Sequence, residues 1–153
     1  SSAICHYLEA KHDVGLIPHD PALLGKTVWW DEVADTELFA AFQPLFFNRV
    51  VAPLFLRQQP DEDAARRAEE GAVPKILAWL ETQMPEEGEW LVGERLTLAD
   101  IAVASPLVNY AHCGGSLDAY PQVQAFAARM HARKGFASNI AWEKGALEKI
   151  RGG

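Results

Sequence analysis

Apolar residues recur along this chain at the three- and four-residue spacing of helices, and no segment shows the alternation of a half-buried strand. Ile4, Tyr7 and Leu8 outline a short amphipathic helix over residues 2–11, a length that is marginal alone and needs a partner. Gly15, Pro18 and Pro21 then read as a linker. A second helix is expected from near Leu23 or Thr27, with Trp30, Val33, Leu38, Ala41, Phe42 and Leu45 on one broad face, a kink at Pro44 and an end or bend at Pro53. A third begins near Asp61 and carries Val73, Ile76, Leu77, Leu80 and Met84 inward. Pro74 should kink it, and Pro85 with Gly88 should stop it. Its solvated side offers Glu62–Arg66 and Asp63–Arg67 as i,i+4 pairs.

The sharpest local signal follows the apolar connection Trp90–Gly93. Thr97-Leu98-Ala99-Asp100 is a capping box in its Asp form, and Leu96 with Ile101 supplies the matching hydrophobic staple. The helix it opens, Leu98 to about Ala111, is apolar nearly all round and is therefore expected to be the central buried one, with Pro106 a local cost and Gly114-Gly115 its end. Pro121 opens a fifth helix that places Val123, Phe126, Ala127 and Met130 inward. The last, about Ala137 to Ile150, is more polar and belongs on the outside. The fold class is all-α, a compact bundle around one buried helix.

Composition narrows what such a bundle can do. A net charge of −7, with no basic stretch, argues against nucleic acid as a partner and against attraction to anionic lipid. No run of about 18 apolar residues or signal peptide occurs, so no membrane span is expected. Cys5 and Cys113 are far apart and read as reduced thiols of a cytoplasmic protein; no metal site is expected, since His112 and Cys113 lack two further ligands. The chain opens at Ser1 almost directly onto a helical pattern, as a piece of a longer chain would.

The stretch Trp90-Leu91-Val92-Gly93-Glu94-Arg95-Leu96-Thr97-Leu98-Ala99-Asp100-Ile101-Ala102 resembles the capping-box segment of glutathione transferases. Leu117–Val123 and Ala132–Phe136 resemble the two elements that follow it there, and Ser1-Ser2-Ala3-Ile4-Cys5-His6-Tyr7-Leu8 looks like the last helix of that family's thioredoxin-like domain. The resemblance implies a glutathione-transferase C-terminal-like helical bundle over residues 15–153, preceded in residues 1–14 by the remnant last helix of the thioredoxin-like domain and a linker. It also implies glutathione as co-substrate, a small apolar electrophile as its partner in the reaction, and a homodimer in the full-length protein.

By the same resemblance, Ser1 bonds the γ-glutamyl carboxylate of glutathione. Thr36 and Glu37 approach the glutathione of the neighbouring subunit, and Glu32, Phe39 and Asn109 face the substrate. Phe39 stands where beta-like transferases often carry a His, which implies a more apolar pocket. Seven of the chain's 15 aromatics fall between Trp29 and Phe55, too many for one helical face, so some must line a pocket or an interface. Thr97 and Asp100 have a folding role. No catalytic residue is expected here: the residue that activates the thiol belongs to the half that binds glutathione, so this chain alone should be inactive. The alternatives are a non-enzymatic helical module for protein assembly and a glutathione-dependent disulfide reductase.

Overall fold

A computed structural model describes residues 1–85 and 89–152; Gly88, expected to help stop the third helix, lies outside them. All regular structure among the described residues is helical. α1 (Ser2–His12) is followed by a 36-residue rod, Pro21–Leu56. Within the rod, α2 (Pro21–Val33) and α3 (Phe39–Phe46) alternate with two π-helical segments, Ala34–Leu38 and Phe47–Leu56.

The rod begins earlier than the hydrophobic pattern predicts. Asp20 is its N-cap, accepting from the N–H groups of Ala22 at 3.0 Å and Leu23 at 2.9 Å, and Pro21 occupies the first turn, where its missing N–H costs nothing. The expected end at Pro53 is also overtaken, because this proline lies inside the second π segment and the helix continues to Leu56. Widened turns leave room for a backbone that a proline cannot hydrogen-bond, so the rod continues where an ideal helix would break.

A second helical stretch returns along the first: α4 (Glu62–Arg67), a π segment (Ala68–Ala72) and α5 (Val73–Gln83), with Pro74 in the first turn of α5. Asp61 caps α4 through the Ala64 N–H at 2.8 Å. Asn48 joins the two stretches, donating to the Pro44 carbonyl and accepting from the Asp61 N–H, both at 2.8 Å. The i,i+4 pairs expected on α4 give way to an i,i+3 contact, Arg66 to Asp63 at 2.6 Å.

α6 (Leu98–His112), α7 (Pro121–His131) and α8 (Lys134–Gly152) complete the bundle. α6 is the axis, packed against α2, α3, the 34–38 segment and α7. The core between these elements holds Leu38, Leu45, Leu77, Leu80, Val103, Leu107, Phe126 and Met130, all buried. Side chains of this kind contribute about 1.5–3 kcal/mol each when fully buried. Contrary to the expectation from sequence, the rod Pro21–Leu56 is long and apolar enough to cross a membrane by length and composition; Leu38, Phe42 and Leu45 of it lie in this core, whereas Trp29, Phe39 and Phe55 are exposed. α8 is outermost, as its polarity predicts, and buries only Leu147.

Two carboxylates fix the entrance of α6. Asp100, wholly enclosed, accepts from the Leu91 N–H, the Thr97 N–H (both 2.9 Å) and the Thr97 hydroxyl (3.1 Å). In the reciprocal arm of the capping box the Thr97 hydroxyl oxygen faces the Asp100 N–H as acceptor. Glu9, buried on α1, accepts from the N–H groups of Gly15 (2.6 Å) and Leu16 (3.0 Å), and the Leu16 carbonyl accepts from the Leu98 N–H at 2.8 Å. Gly15 has φ +80, a conformation that favours glycine. α1 is thus held by its one acid, while Ile4, Tyr7 and Leu8 stay exposed.

At the far end of α6, Tyr110 stacks on Phe42 with ring centroids 5.1 Å apart. The chain returns so closely over Tyr110 that a Cβ on Gly115 would sit 2.3 Å from the ring. Glu81 supplies the N-terminal cap of α7, accepting from Gln122 and Val123 N–H groups at 2.9 Å each.

Asp100→Ala is expected to destabilise the chain by about 2–3 kcal/mol, because it strands buried donors as well as losing a cap. Thr97→Ala should cost about 1 kcal/mol. Urea unfolding followed by circular dichroism measures both, and equal effects would contradict the carboxylate's larger share.

Candidate functional site

A groove of about 280 Å³ opens between the N-terminus of α1, the end of α2 and one side of α6. Its walls are Ser1 and Cys5 on one side and Asp31, Asp35 and Phe39 on the other; its floor is α6, through Ile101, Ala102, Ser105, Pro106 and Asn109. The sequence predicts α6 to be covered all round, yet Ser105 and Asn109 are exposed on this face. A polar residue every fourth position opens a narrow stripe on an otherwise apolar helix, which a window average does not reveal.

The wall on the rod depends on its first π segment. In an unbroken α-helix residues 31 and 39 would lie about 80° apart around the axis, after eight steps of about 100°. Here the Phe39 N–H reaches back five residues to the Ala34 carbonyl, so the turn is wider. The slower winding returns Phe39 to the line of Asp31 and Asp35 and sends Leu38, with no exposed surface, into the core. Phe39 is 58% exposed, an uncovered ring at the rim. Past it, a second hollow of about 270 Å³ is lined by Phe42, Phe46, Phe47 and Val51 and shares Phe39, Pro106 and Asn109 with the first.

Of the residues singled out from sequence, Ser1, Phe39 and Asn109 meet at this groove. Ser1 begins α1; its carbonyl accepts from the Ile4 and Cys5 N–H groups at 2.9 and 3.2 Å, and its hydroxyl makes no cap of its own. Glu32, Thr36 and Glu37 are exposed on the rod but do not line the groove, and the Thr36 hydroxyl is spent on the Glu32 carbonyl at 2.6 Å. Thr97 and Asp100 belong to the cap at the foot of the floor.

Sequence reasoning missed Asp31. It is 6% exposed, lines the groove, and its carboxylate accepts no hydrogen bond from the described residues. Its spacing from Asp35 places both on one helical face, but nothing local distinguishes that face from a solvated one; only burial does.

The model of the "Glutathione S-transferase, C-terminal domain" family matches residues 46–141. The chain belongs to the glutathione S-transferase family. It matches the helical C-terminal domain of that family, the fold described above. A probable glutathione S-transferase of rice, Oryza sativa subsp. japonica, is 27% identical over 140 residues, which are 87% of this chain and 62% of the rice protein. The chain therefore spans less than two thirds of that relative. Glutathione S-transferase I bound with lactoylglutathione superimposes with a TM-score of 0.80 at 26% identity, over 92% of this chain and 68% of that one. The maize glutathione S-transferase I in complex with an atrazine glutathione conjugate gives the same TM-score and identity over 93% of this chain and 67% of that one.

The two thiols differ in setting. Cys5 lines the groove, whereas burial pushes the Cys113 thiol up to about 11, with Arg49 and Arg151 only partly opposing. At pH 8 this leaves about a hundredfold less thiolate than at an ordinary cysteine. Iodoacetamide is expected to modify Cys5 first in the folded chain and both residues in urea, as read by mass spectrometry of peptides. Because the folded chain keeps the Cys113 proton where the unfolded chain loses it, stability should fall as pH rises from about 9 to about 11. Rapid native labelling of Cys113 would contradict its setting.

Proposed function

We propose that this chain is the helical half of a transferase that joins the thiol of glutathione to small apolar electrophiles, and that the groove under Phe39 seats the electrophile. The observation that carries the reading is the convergence of Ser1, Phe39 and Asn109 on one groove in a chain of this family. An exposed phenyl ring, an apolar floor and an adjoining aromatic hollow suit a flat apolar molecule. The maize relative solved with an atrazine glutathione conjugate supports such a product.

Glutathione enters from the side of α1. The uncommitted Ser1 hydroxyl at a helix N-terminus suits an anion such as the γ-glutamyl carboxylate, which the aligned N–H groups also favour. Residues 1–14 belong, on this reading, with the glutathione-binding half, and residues 15–153 form the helical domain. On the same reading Thr36 and Glu37, exposed and outside the groove lining, meet a second subunit's glutathione across a homodimer, and Glu32, also exposed and outside that lining, is grouped with them.

The chemical step is attack by a glutathione thiolate, so the enzyme must lower the pKa of the thiol. Asp31 and Asp35 would oppose a second negative charge beside them, and the lining holds no Lys, Arg or His to favour one. We assign thiol activation to a residue of the glutathione-binding half, outside these 153, and the protein to the cytoplasm, where glutathione is abundant.

The chain alone is expected to give no turnover of chlorodinitrobenzene with glutathione and little retention on immobilised glutathione. Turnover above the uncatalysed rate would overturn the assignment of the activating residue. Naphthalenemethanol should still bind, and Phe39→Ala should weaken it about tenfold, the worth of one lost ring contact. Isothermal titration measures this, and unchanged affinity in the variant would overturn the groove as the seat.

A further inference from the structure

The carboxylate of Asp31, on a residue only 6% exposed, is not explained by apolar binding. A hydrophobic seat gains nothing from a charge in its wall. The structural acids of this chain all have donors: Glu9 takes two N–H groups, Glu81 takes two, and Asp100 takes three hydrogen bonds. Asp31 is as buried as Glu9, yet none of the described residues donates to it, and its carboxylate lies on the wall of the groove. Asp35 stands one turn further along the same wall. No Lys, Arg or His lines the groove, which sets two carboxylates along one stretch of its wall and phenyl rings beyond them.

We propose that Asp31 selects, among apolar co-substrates of this groove, those carrying a protonated nitrogen. The cation sits on the Asp31 carboxylate with Asp35 beside it, and the aromatic body lies under Phe39 towards the hollow of Phe42, Phe46 and Phe47. This rests on the groove being the electrophile's seat and deepens that reading by naming the substrate class. The first π segment of the rod matters here: because residues 34–38 align Phe39 with Asp31 and Asp35, one ligand spans both ends. A cation on this wall makes a charge-assisted hydrogen bond to the carboxylate, stronger than the alcohol's neutral one.

The test compares three probes of one shape on the whole chain by isothermal titration: naphthylmethylammonium, naphthalenemethanol and naphthoate. The cation is expected to bind about tenfold more tightly than the alcohol, the order set by one charge-assisted hydrogen bond, and naphthoate more weakly than both. Asp31→Asn, which keeps the shape, should bring cation and alcohol within about threefold of each other. Asp35→Asn should reduce the preference by less.

Equal binding of the cation and the alcohol by the natural chain overturns the inference. So does a preference that survives Asp31→Asn. Should that variant fail to fold, amide shifts of the natural chain decide: the cation must perturb residues 31–35 more than the alcohol does, and identical maps overturn the proposal. The seat itself is judged separately, by the loss of alcohol binding in Phe39→Ala. A failure there condemns the groove, whereas a failure confined to the cation preference condemns only the role of Asp31.

Discussion

The Asp100 carboxylate accepts hydrogen bonds from Leu91, from the Thr97 backbone and from the Thr97 hydroxyl, all in a space closed to solvent. An ionised acid is suited to this as an amide is not, since it only accepts and brings no N–H of its own that would need a partner. By holding the 91–97 connection against the first turn of α6, it fixes where that helix starts and therefore its rotational phase. α6 touches α2, α3, the 34–38 segment and α7, so a slip at its start would misalign every one of those contacts, in a core where side chains have no slack.

What the sequence made legible was whatever depends on neighbours three and four residues apart. The inward stripes of the second, third and fifth expected helices are the buried residues Phe42, Leu77 and Phe126 and their companions, and the capping box lies where Thr97 and Asp100 place it. What stayed hidden depends on distant partners. Glu81 bonds residues 41 and 42 positions away, and Asn48 bonds one 13 positions away; neither leaves a local period. The π segments were equally silent, since an extra residue in a turn changes the phase of a pattern without changing its composition.

The groove shows the same division. Ser1, Phe39 and Asn109 could be named because a family resemblance carries positions whatever their contacts, and the structure sets all three around one space. Asp31 could not, because an acid beside Trp30 and Glu32 reads as surface until its burial is seen. The open stripe on α6 was masked by the apolar residues flanking it, although it is that stripe which turns a structural axis into the floor of the groove.

The Glu9 clamp divides the connection between α1 and the rod into two parts. Residues 9–16 form a closed relay through Gly15 and Leu16 to Leu98, so one bank of the groove is ruled directly onto its bed, and a length change there would alter the groove's width. Beyond it Ile17 and Pro18, both buried, carry the chain on to the cap at Asp20. The breadth of the groove is therefore set by the eight residues 9–16 together with the buried pair that follows them.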